Sequence, residues 1–273
     1  MEQYRPGKFG MLTPVVKNLL IINVIFFVAT YAVLNAFNYD LTKDLALYFF
    51  GSDLFRPYQF ITHMFMHGSL GHIFFNMFAL WMFGKTIESV WGPKRFLIYY
   101  LVTGLGAAAL HTLVNWYSIS DLQQGAQEFF NNPAPEMFVA FLREYFPEVS
   151  INPQYIDAWL ALPDSSHYIS ESTNLVNELI LTKTNIPTVG ASGAVFGLLL
   201  AFGMLFPNSM IYVYFAIPIK AKYFVMIYGA IELYAGVMNQ PGDNIAHFAH
   251  LGGMIFGYFL ILYWKKKQFK RWN

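Results

Sequence analysis

The chain has 273 residues, of which 56% are hydrophobic and 12% are charged, and its formal net charge is +1. Soluble domains carry about 25% charged residues, so this chain has too little polar surface for a soluble globule. The composition excludes a disordered chain and a nucleic-acid partner. Because the sequence has no cysteine, it excludes disulfides, thiolate metal sites and a cysteine nucleophile. These properties indicate an integral membrane protein.

Six apolar segments are candidates for membrane-spanning helices. A helix needs about 20 mostly apolar residues to cross about 30 Å of hydrocarbon. The segments cover residues 15–34, 70–87, 96–116, 189–206, 224–238 and 247–264. Several are short or interrupted by polar residues, as expected where a helix faces protein or a water-filled cavity rather than lipid. The sequence predicts an all-α, polytopic membrane protein with a six-transmembrane-helix bundle.

Basic residues predict the orientation of the bundle, because lysine and arginine favour the cytoplasmic side. If the N-terminus is cytoplasmic, 13 of the 17 lysine and arginine residues lie on the cytoplasmic side and four lie on the outer side. The four outer residues are Lys43, Arg56, Arg143 and Lys183. We therefore expect both termini to be cytoplasmic and the surrounding membrane lipids to be the natural partners.

A polar segment over residues 117–187 separates the third and fourth predicted spans. It contains nine acidic residues and two basic ones. Its apolar periodicity predicts two to four short helices, two of them near 135–146 and 172–181. The chain thus divides into spans one to three with the first outer loop (1–116), an acidic extracytoplasmic insert (117–187), and spans four to six with a basic cytoplasmic tail (188–273). The insert is either a passive surface element or a lid or partner-docking element.

The first candidate for chemistry is Ser192, at the outer end of the fourth span. Gly190 and Gly193 flank it and let other backbone approach closely. Amides in the first turn of a helix lack intrahelical partners and favour developing negative charge, which suits acyl transfer. Alternatively, Gly193 and Gly197 form a helix-packing seam, and Ser192 is part of it.

The second candidate is His250, at the outer end of the sixth span, followed by Gly253 and Gly257. If Gly253 and Gly257 of the sixth span face Gly193 and Gly197 of the fourth, His250 lies at the same membrane depth as Ser192. A serine nucleophile and its imidazole base need this geometry, at about 2.6–3.2 Å. His247, one turn earlier, is a competing candidate.

The third candidate is the pair His72 and Asn76, which share one helix face at i and i+4. Two neutral donors there suit an oxyanion, although they are also suited to hydrogen bonding between helices. His63 and His67 have ligand spacing but no acid beside them, so no metal or other cofactor is expected. Glu232 is the carboxylate within a predicted span, and we interpret it as an interhelical hydrogen-bond partner rather than a catalyst.

Together and in this order, the motifs resemble the rhomboid family of intramembrane serine proteases. They are H-x-x-x-N at 72–76, G-x-S-G at 190–193 and A-H-x-x-G at 249–253. The resemblance implies that Ser192 is the nucleophile and His250 the general base of a dyad without an acidic third member. It implies that His72, Asn76 and the Ser192 backbone N–H stabilise the oxyanion, and that the substrates are transmembrane proteins.

Two positions depart from the family pattern. Phe196 stands where some members have a tyrosine stacked on the catalytic histidine, and Tyr58-Gln59 stands where many have Trp-Arg. We expect the turn-rich loop 239–244 to act as a mobile cap, and the family's breadth favours the bacterial plasma (inner) membrane. Two alternatives remain: a rhomboid-like pseudoenzyme that binds membrane-protein clients without cleavage, and a transporter, which would need inverted repeats and charged pathway residues.

Overall fold

The computed structural model describes residues 12–213, 216–238 and 246–269, and this part of the chain is mainly helical. The predicted cap loop 239–244 lies outside it. The helices are α1 (Pro14–Phe37), α2 (Thr42–Leu45), α3 (Gln59–Thr62), α4 (Leu70–Ala79), α5 (Lys85–Trp91), α6 (Pro93–Asn131), α7 (Pro135–Tyr145), α8 (Pro153–Ala161), α9 (Ser166–Thr184), α10 (Ser192–Leu205), α11 (Ala221–Met238) and α12 (His247–Phe269). A 3₁₀ turn (His63–Phe65) follows α3, and a π-helical turn (Leu80–Gly84) joins α4 to α5.

Two helices of the described chain, α1 and α6, are long and apolar enough to cross a membrane. The apolar α10 has 14 residues and is shorter. Apolar side chains such as Ile25 and Val28 of α1 are exposed, as suits a helix surrounded by lipid. These features fit a membrane protein, and by length and composition α1 and α6 are the two candidate spans of the described chain.

The third predicted span is part of a longer helix than the sequence suggested. We expected it to end near Trp116, whereas α6 continues to Asn131. The extension is polar overall, yet Leu122, Ala126 and Phe129 are buried on one face. Their spacing of four and three residues keeps helical periodicity where the mean hydropathy falls. The rise in polarity after Trp116 was used to predict the start of the insert, but helix α6 does not end there.

The centre of the bundle is formed by α6, α10 and α12, which pack against one another. Its buried side chains include Tyr99 of α6, Leu198 of α10 and Ile261 of α12. The N-terminus of α1 is attached to this core through buried Glu88, whose carboxylate accepts from the backbone N–H groups of Val15 (3.0 Å) and Val16 (2.9 Å). These amides have no partner within their own helix.

The insert has a second hydrophobic core of its own. The end of α6 packs with α7, α8 and α9 around fully buried Trp159, Phe129 and Phe146. Helix α7 lies where a helix was predicted, and α9 extends beyond the predicted 172–181 at both ends. The segment is thus an ordered helical unit.

A β-hairpin between α10 and α11 is the exception to the all-α expectation. Strand β1 (Met210–Val213) pairs antiparallel with β2 (Ile217–Lys220), with Ile211 opposite Ile219. The sequence analysis did not predict it, because a run of four residues is too short to separate a strand from a helix end by periodicity. Its β-branched and aromatic residues favour extended structure.

The segment between α1 and α4 is organised by Gln59, one of the two departures from the family pattern. Its buried side chain accepts from the Arg56 backbone N–H (3.0 Å) and donates to the carbonyls of Leu54 (2.9 Å) and Asp44 (3.1 Å). The neighbouring Tyr58 is exposed. Gln59 therefore cross-links this segment by satisfying backbone groups that would otherwise be unpaired.

Candidate active site

Ser192 is the first residue of α10, so its backbone N–H lies in the helix turn that lacks intrahelical acceptors. The preceding segment is fixed in two ways. Thr188 and Leu47 exchange backbone hydrogen bonds of 2.9 and 2.8 Å, and the N–H of Gly190 donates to the His63 carbonyl at 2.9 Å. Gly190 has φ +122°, a conformation that favours glycine. This turn presents Ser192 at the edge of the central core.

The structure brings Ser192 and His250 into direct contact. His250 lies in the first turn of α12, and its Nε2 is 2.9 Å from Ser192 Oγ. The His250 side chain is 11% exposed, whereas Ser192 is half-buried. The pair therefore lies in a largely dry environment that is accessible from the serine side.

The glycine seams meet at one point rather than along their length. A Cβ on Gly253 would collide with the carbonyl of Gly193, so these two backbones touch. The second glycine of each seam instead contacts α6: Gly197 packs on Thr103, and Gly257 packs on Tyr99. The hydroxyl of Tyr99 donates to the Gly197 carbonyl at 2.8 Å. Face-to-face seams were thus a partly wrong expectation, because α6 occupies the space between α10 and α12 below the first contact.

Phe196, the other family departure, retains ring packing on the histidine. Its ring stacks on His250 with centroids 4.1 Å apart and planes 5° apart. The ring of Tyr228 of α11 also stacks on Phe196, with centroids 5.2 Å apart. One face of the His250 ring is therefore held by an aromatic stack.

His72 and Asn76 lie beside this pair on α4, a helix capped by Ser69, whose Oγ accepts from the His72 N–H at 3.1 Å. Any side chain at Gly190 would collide with His72 Nε2, so the imidazole lies against the backbone two residues before Ser192. The amide nitrogen of buried Asn76 donates to the His72 carbonyl at 3.0 Å. His72 thus lies next to the backbone that leads to Ser192, and Asn76 lies one helical turn further along α4.

Glu232 of α11 contacts both histidines of α12. Its Oε2 is 2.8 Å from His250 Nδ1 and 2.6 Å from His247 Nδ1. Glu232 therefore makes the interhelical hydrogen bonds expected of it, but with the candidate base itself. The cluster also combines three side chains of metal-ligand type, a combination that the sequence analysis did not assemble.

The remaining histidines near the site have mainly structural contacts. His63 Nδ1 lies 2.8 Å from the Gln59 carbonyl. His67 is buried against the His72 ring, with centroids 5.0 Å apart. The sequence analysis did not single out His111 of α6, whose Nε2 lies 2.9 Å from Thr188 Oγ1 and supports the segment before Ser192.

Taken together, these elements define a helical membrane protein with a serine–histidine pair at the ends of two packed helices. The Rhomboid domain family model matches residues 54–123 and 166–267, which is more than half of the chain. The chain belongs to the rhomboid family. The unmatched residues between these ranges lie in the insert and include all of α7 and α8.

The chain is similar to several rhomboid proteins. It is 24% identical over 200 residues to RHOMBOID-like protein 12, mitochondrial, of Arabidopsis thaliana, covering 72% of this chain and 44% of the relative. It is 23% identical over 225 residues to an uncharacterized mitochondrial rhomboid protein of Schizosaccharomyces pombe (78% and 53%). A third relative is the rhomboid protease AarA of Providencia stuartii, 26% identical over 86 residues (29% and 31%).

The relatives bear on the expected cellular location and on the expected activity. The chain spans about half the length of the first two relatives. Both are described as mitochondrial, so the expected location in the bacterial plasma membrane has no support from them. One relative, AarA, is described as a protease, whereas the descriptions of the first two name no activity. Whether this chain cleaves peptide bonds must therefore be judged from its own residues.

Proposed function

We propose that this chain is an intramembrane serine protease that hydrolyses peptide bonds in or near transmembrane helices of other membrane proteins. The observation that carries the proposal is the 2.9 Å contact between Ser192 Oγ and His250 Nε2. Such a contact between the ends of two apolar helices is the arrangement of a nucleophile and its general base. Polar side chains at this depth are costly, which favours a functional reason for them.

The reaction begins when Ser192 Oγ attacks the scissile carbonyl carbon and its proton passes to His250 Nε2. The tetrahedral intermediate collapses as the C–N bond breaks, and His250 gives the proton to the leaving amine. Water then attacks the acyl carbon as His250 Nε2 takes its proton, and His250 returns that proton to Ser192 Oγ as the ester C–O bond breaks. A cavity of about 20 Å³ beside Ser192, lined by His63, Thr188 and Ala246 among others, has room for one water.

The developing oxyanion is stabilised by the backbone N–H of Ser192, by His72 and by Asn76. The serine amide is free of intrahelical bonding, and His72 lies against the turn that leads to it. The second amide hydrogen of Asn76 is available beyond its bond to the His72 carbonyl. Donors set in place before the reaction stabilise the charge without reorganising.

The membrane arrangement proposed here keeps six spans, with both termini on the cytoplasmic side. The spans correspond to α1, the α4–α5 helix, the first part of α6, α10, α11 and α12. The acidic insert 117–187 then lies outside, between the units 1–116 and 188–273. Membrane lipids surround α1, whose apolar side chains are exposed.

The substrate follows from the position of the site. A transmembrane helix has its backbone in i→i−4 hydrogen bonds, so it must unwind locally before Ser192 reaches a carbonyl carbon. Glycine or proline near the outer end of the substrate helix lowers the cost of unwinding. Helices of this kind are the proposed substrate class.

The experiment compares wild type, Ser192→Ala, His250→Ala and the control Ser172→Ala in detergent. Ser172 lies in the insert, where its hydroxyl donates to the Tyr168 carbonyl. We expect wild type and Ser172→Ala to cleave a transmembrane substrate and react with a fluorophosphonate, and both site variants to do neither. Cleavage that survives Ser192→Ala contradicts the mechanism. Substrate binding without cleavage or labelling by wild type favours a rhomboid-like pseudoenzyme.

A further inference from the structure

We propose that Glu232 is a positioning residue that holds His250 in the tautomer and orientation needed for base catalysis. The serine–histidine pair would then be the end of a Glu232–His250–Ser192 chain rather than a dyad without an acid. Because Glu232 acts through His250, this role rests on the proposed function.

The two hydrogen bonds of His250 lie at opposite ends of its ring. Nδ1 is 2.8 Å from Glu232 Oε2, and Nε2 is 2.9 Å from Ser192 Oγ. An ionised carboxylate only accepts hydrogen bonds, so Nδ1 must carry the hydrogen and donate. In the neutral ring, Nε2 is then without a hydrogen and accepts from the serine hydroxyl. The carboxylate thus selects the tautomer in which Nε2 is the base.

Glu232 also fixes the rotation of the imidazole. The ring is held on one face by the Phe196 stack, at 4.1 Å between centroids. A stack restrains the ring plane but still allows a half-turn about the Cβ–Cγ bond, which exchanges Nδ1 with Cδ2 and Nε2 with Cε1. The Glu232 bond removes this freedom, because the exchanged orientation would move the donor away from the carboxylate. Stack and carboxylate together specify one orientation.

The burial of Glu232 indicates that the carboxylate has a specific task. Its side chain is 7% exposed, and a buried carboxylate is costly unless it is hydrogen-bonded. His247 Nδ1 lies 2.6 Å from the same Oε2. Two histidines one turn apart on α12 therefore bind one oxygen from α11. His247 holds the carboxylate in place, and the carboxylate holds His250.

A bound metal is the competing explanation for this cluster, since one glutamate and two histidines are suitable ligands. In a tetrahedral zinc site with bonds of about 2.0–2.1 Å, the ligand atoms lie about 3.3 Å apart. The Oε2–Nδ1 separations of 2.6 and 2.8 Å are shorter and match charge-assisted hydrogen bonds. The geometry therefore favours hydrogen bonding over coordination.

The test compares Glu232→Gln and Glu232→Asp with wild type, and uses Glu88→Gln as the matched control. Glu88 is also a buried carboxylate, but it binds the N-terminus of α1. We expect Glu232→Gln to lower kcat at least about 100-fold while KM stays within about threefold, because the tautomer of His250 affects proton transfer and not substrate binding. Glu232→Asp should recover at least tenfold of that loss. Glu88→Gln should lower the thermal midpoint and leave kcat per labelled active site unchanged.

A second measurement does not depend on turnover. In ¹⁵N-histidine-labelled wild type, the ring nitrogens of His250, assigned by comparison with His250→Ala, should show a hydrogen on Nδ1 and none on Nε2. That result with no cleavage by wild type supports the orientation of His250 by Glu232 and contradicts the protease proposal. A hydrogen on Nε2 overturns the positioning role, as does a Glu232→Gln kcat within threefold of wild type. Activity lost to a chelator and restored by zinc also overturns it.

Discussion

The central bundle and the insert share helix α6, but small residues form the helix contacts in the bundle and large aromatic residues form them in the insert. Around the candidate site the helices meet through small residues, and the backbones of Gly193 and Gly253 touch. In the insert the helices meet through large aromatic side chains around Trp159 and Phe129. A single continuous helix thus has a glycine- and alanine-rich half and an amphipathic half.

The proposed placement of the insert outside the membrane accounts for this difference. In lipid, burying an apolar side chain between helices removes it from a solvent that is equally apolar, so close packing and hydrogen bonds drive association. In water, the same burial contributes about 25 cal/mol per Å² of apolar surface. Each region therefore uses the interaction that its solvent makes favourable, and the site requires the precision that backbone contact provides.

The largest expected effect is in the insert, from Trp159→Ala. Truncation of a fully buried tryptophan costs about 3–5 kcal/mol. Trypsin can report the opening of this unit, because Arg143 and Lys183 are its two basic residues. We expect cleavage at these sites to accelerate at least about 100-fold, while fluorophosphonate labelling of Ser192 changes less than threefold.

The matched control is Leu160→Ala, at a neighbouring position on α8 that is 49% exposed. It should leave trypsin cleavage near the wild-type rate. If Trp159→Ala lowered the labelling of Ser192 by the same factor as it raised trypsin cleavage of the insert, the two hydrophobic cores would not be independent.

In the bundle, the largest expected effect comes from Gly253→Ala. A Cβ there meets the Gly193 carbonyl, and backbone cannot move aside as a flexible side chain can. Because α12 carries His250 and α10 carries Ser192, the added methyl group separates the two reacting side chains. We expect kcat/KM to fall about 100-fold, the effect of a displacement near 1 Å.

Gly229→Ala serves as its control, since the new Cβ would meet the mobile end of Met254 at 3.2 Å. This variant should stay within about threefold of wild type. If Gly253→Ala were equally active, close backbone contact would not be what places the histidine.

Phe196→Leu tests whether the aromatic stack matters beyond filling space. An aromatic pair contributes about 0.5–1.5 kcal/mol beyond its buried area. If the His250 ring depends on it, kcat should fall about two- to tenfold, while the thermal midpoint changes little. Phe196→Tyr preserves the ring and should retain the wild-type kcat. A kcat for Phe196→Leu equal to that of wild type would show that Glu232 alone orients the histidine.

Much of the helical layout could be predicted from the sequence. Apolar runs marked the positions of α1, α4 with α5, α6, α10, α11 and α12, and Pro14, Pro93 and Pro135 mark helix starts by the preference of proline for the first turn. The length of α6 was missed, because mean hydropathy falls at Trp116 while helical periodicity continues. The hairpin was missed because its strands have four residues each.

The site was predicted less completely. Local motifs indicated Ser192 and His250, since each lies beside glycines that allow close approach. The contact of Glu232 with both histidines joins two helices, and no periodicity within one segment fixes such a pairing. Two signals were present: Glu232 is a carboxylate inside a predicted span, and His247 and His250 share a helix face at i and i+3.

The smallest expected effect compares one hydrogen bond in each region. Tyr99 donates to the Gly197 carbonyl at 2.8 Å in the bundle, and Tyr155 donates to the Tyr168 carbonyl at 3.2 Å in the insert. Tyr99 is fully buried where no water can replace the lost donor, whereas Tyr155 is half-buried. We expect Tyr99→Phe to cost about 0.5–1.5 kcal/mol of unfolding free energy.

Tyr155→Phe removes the same hydroxyl from a region where solvent can take its place and aromatic burial is retained. Its cost should be smaller than that of Tyr99→Phe, at most about 0.5 kcal/mol. Denaturation in detergent mixtures gives the first value, and the trypsin cleavage rate in the insert gives the second. The reverse order would mean that hydrogen bonds stabilise the insert more than the bundle, and the solvent-based account of the two packings would then fail.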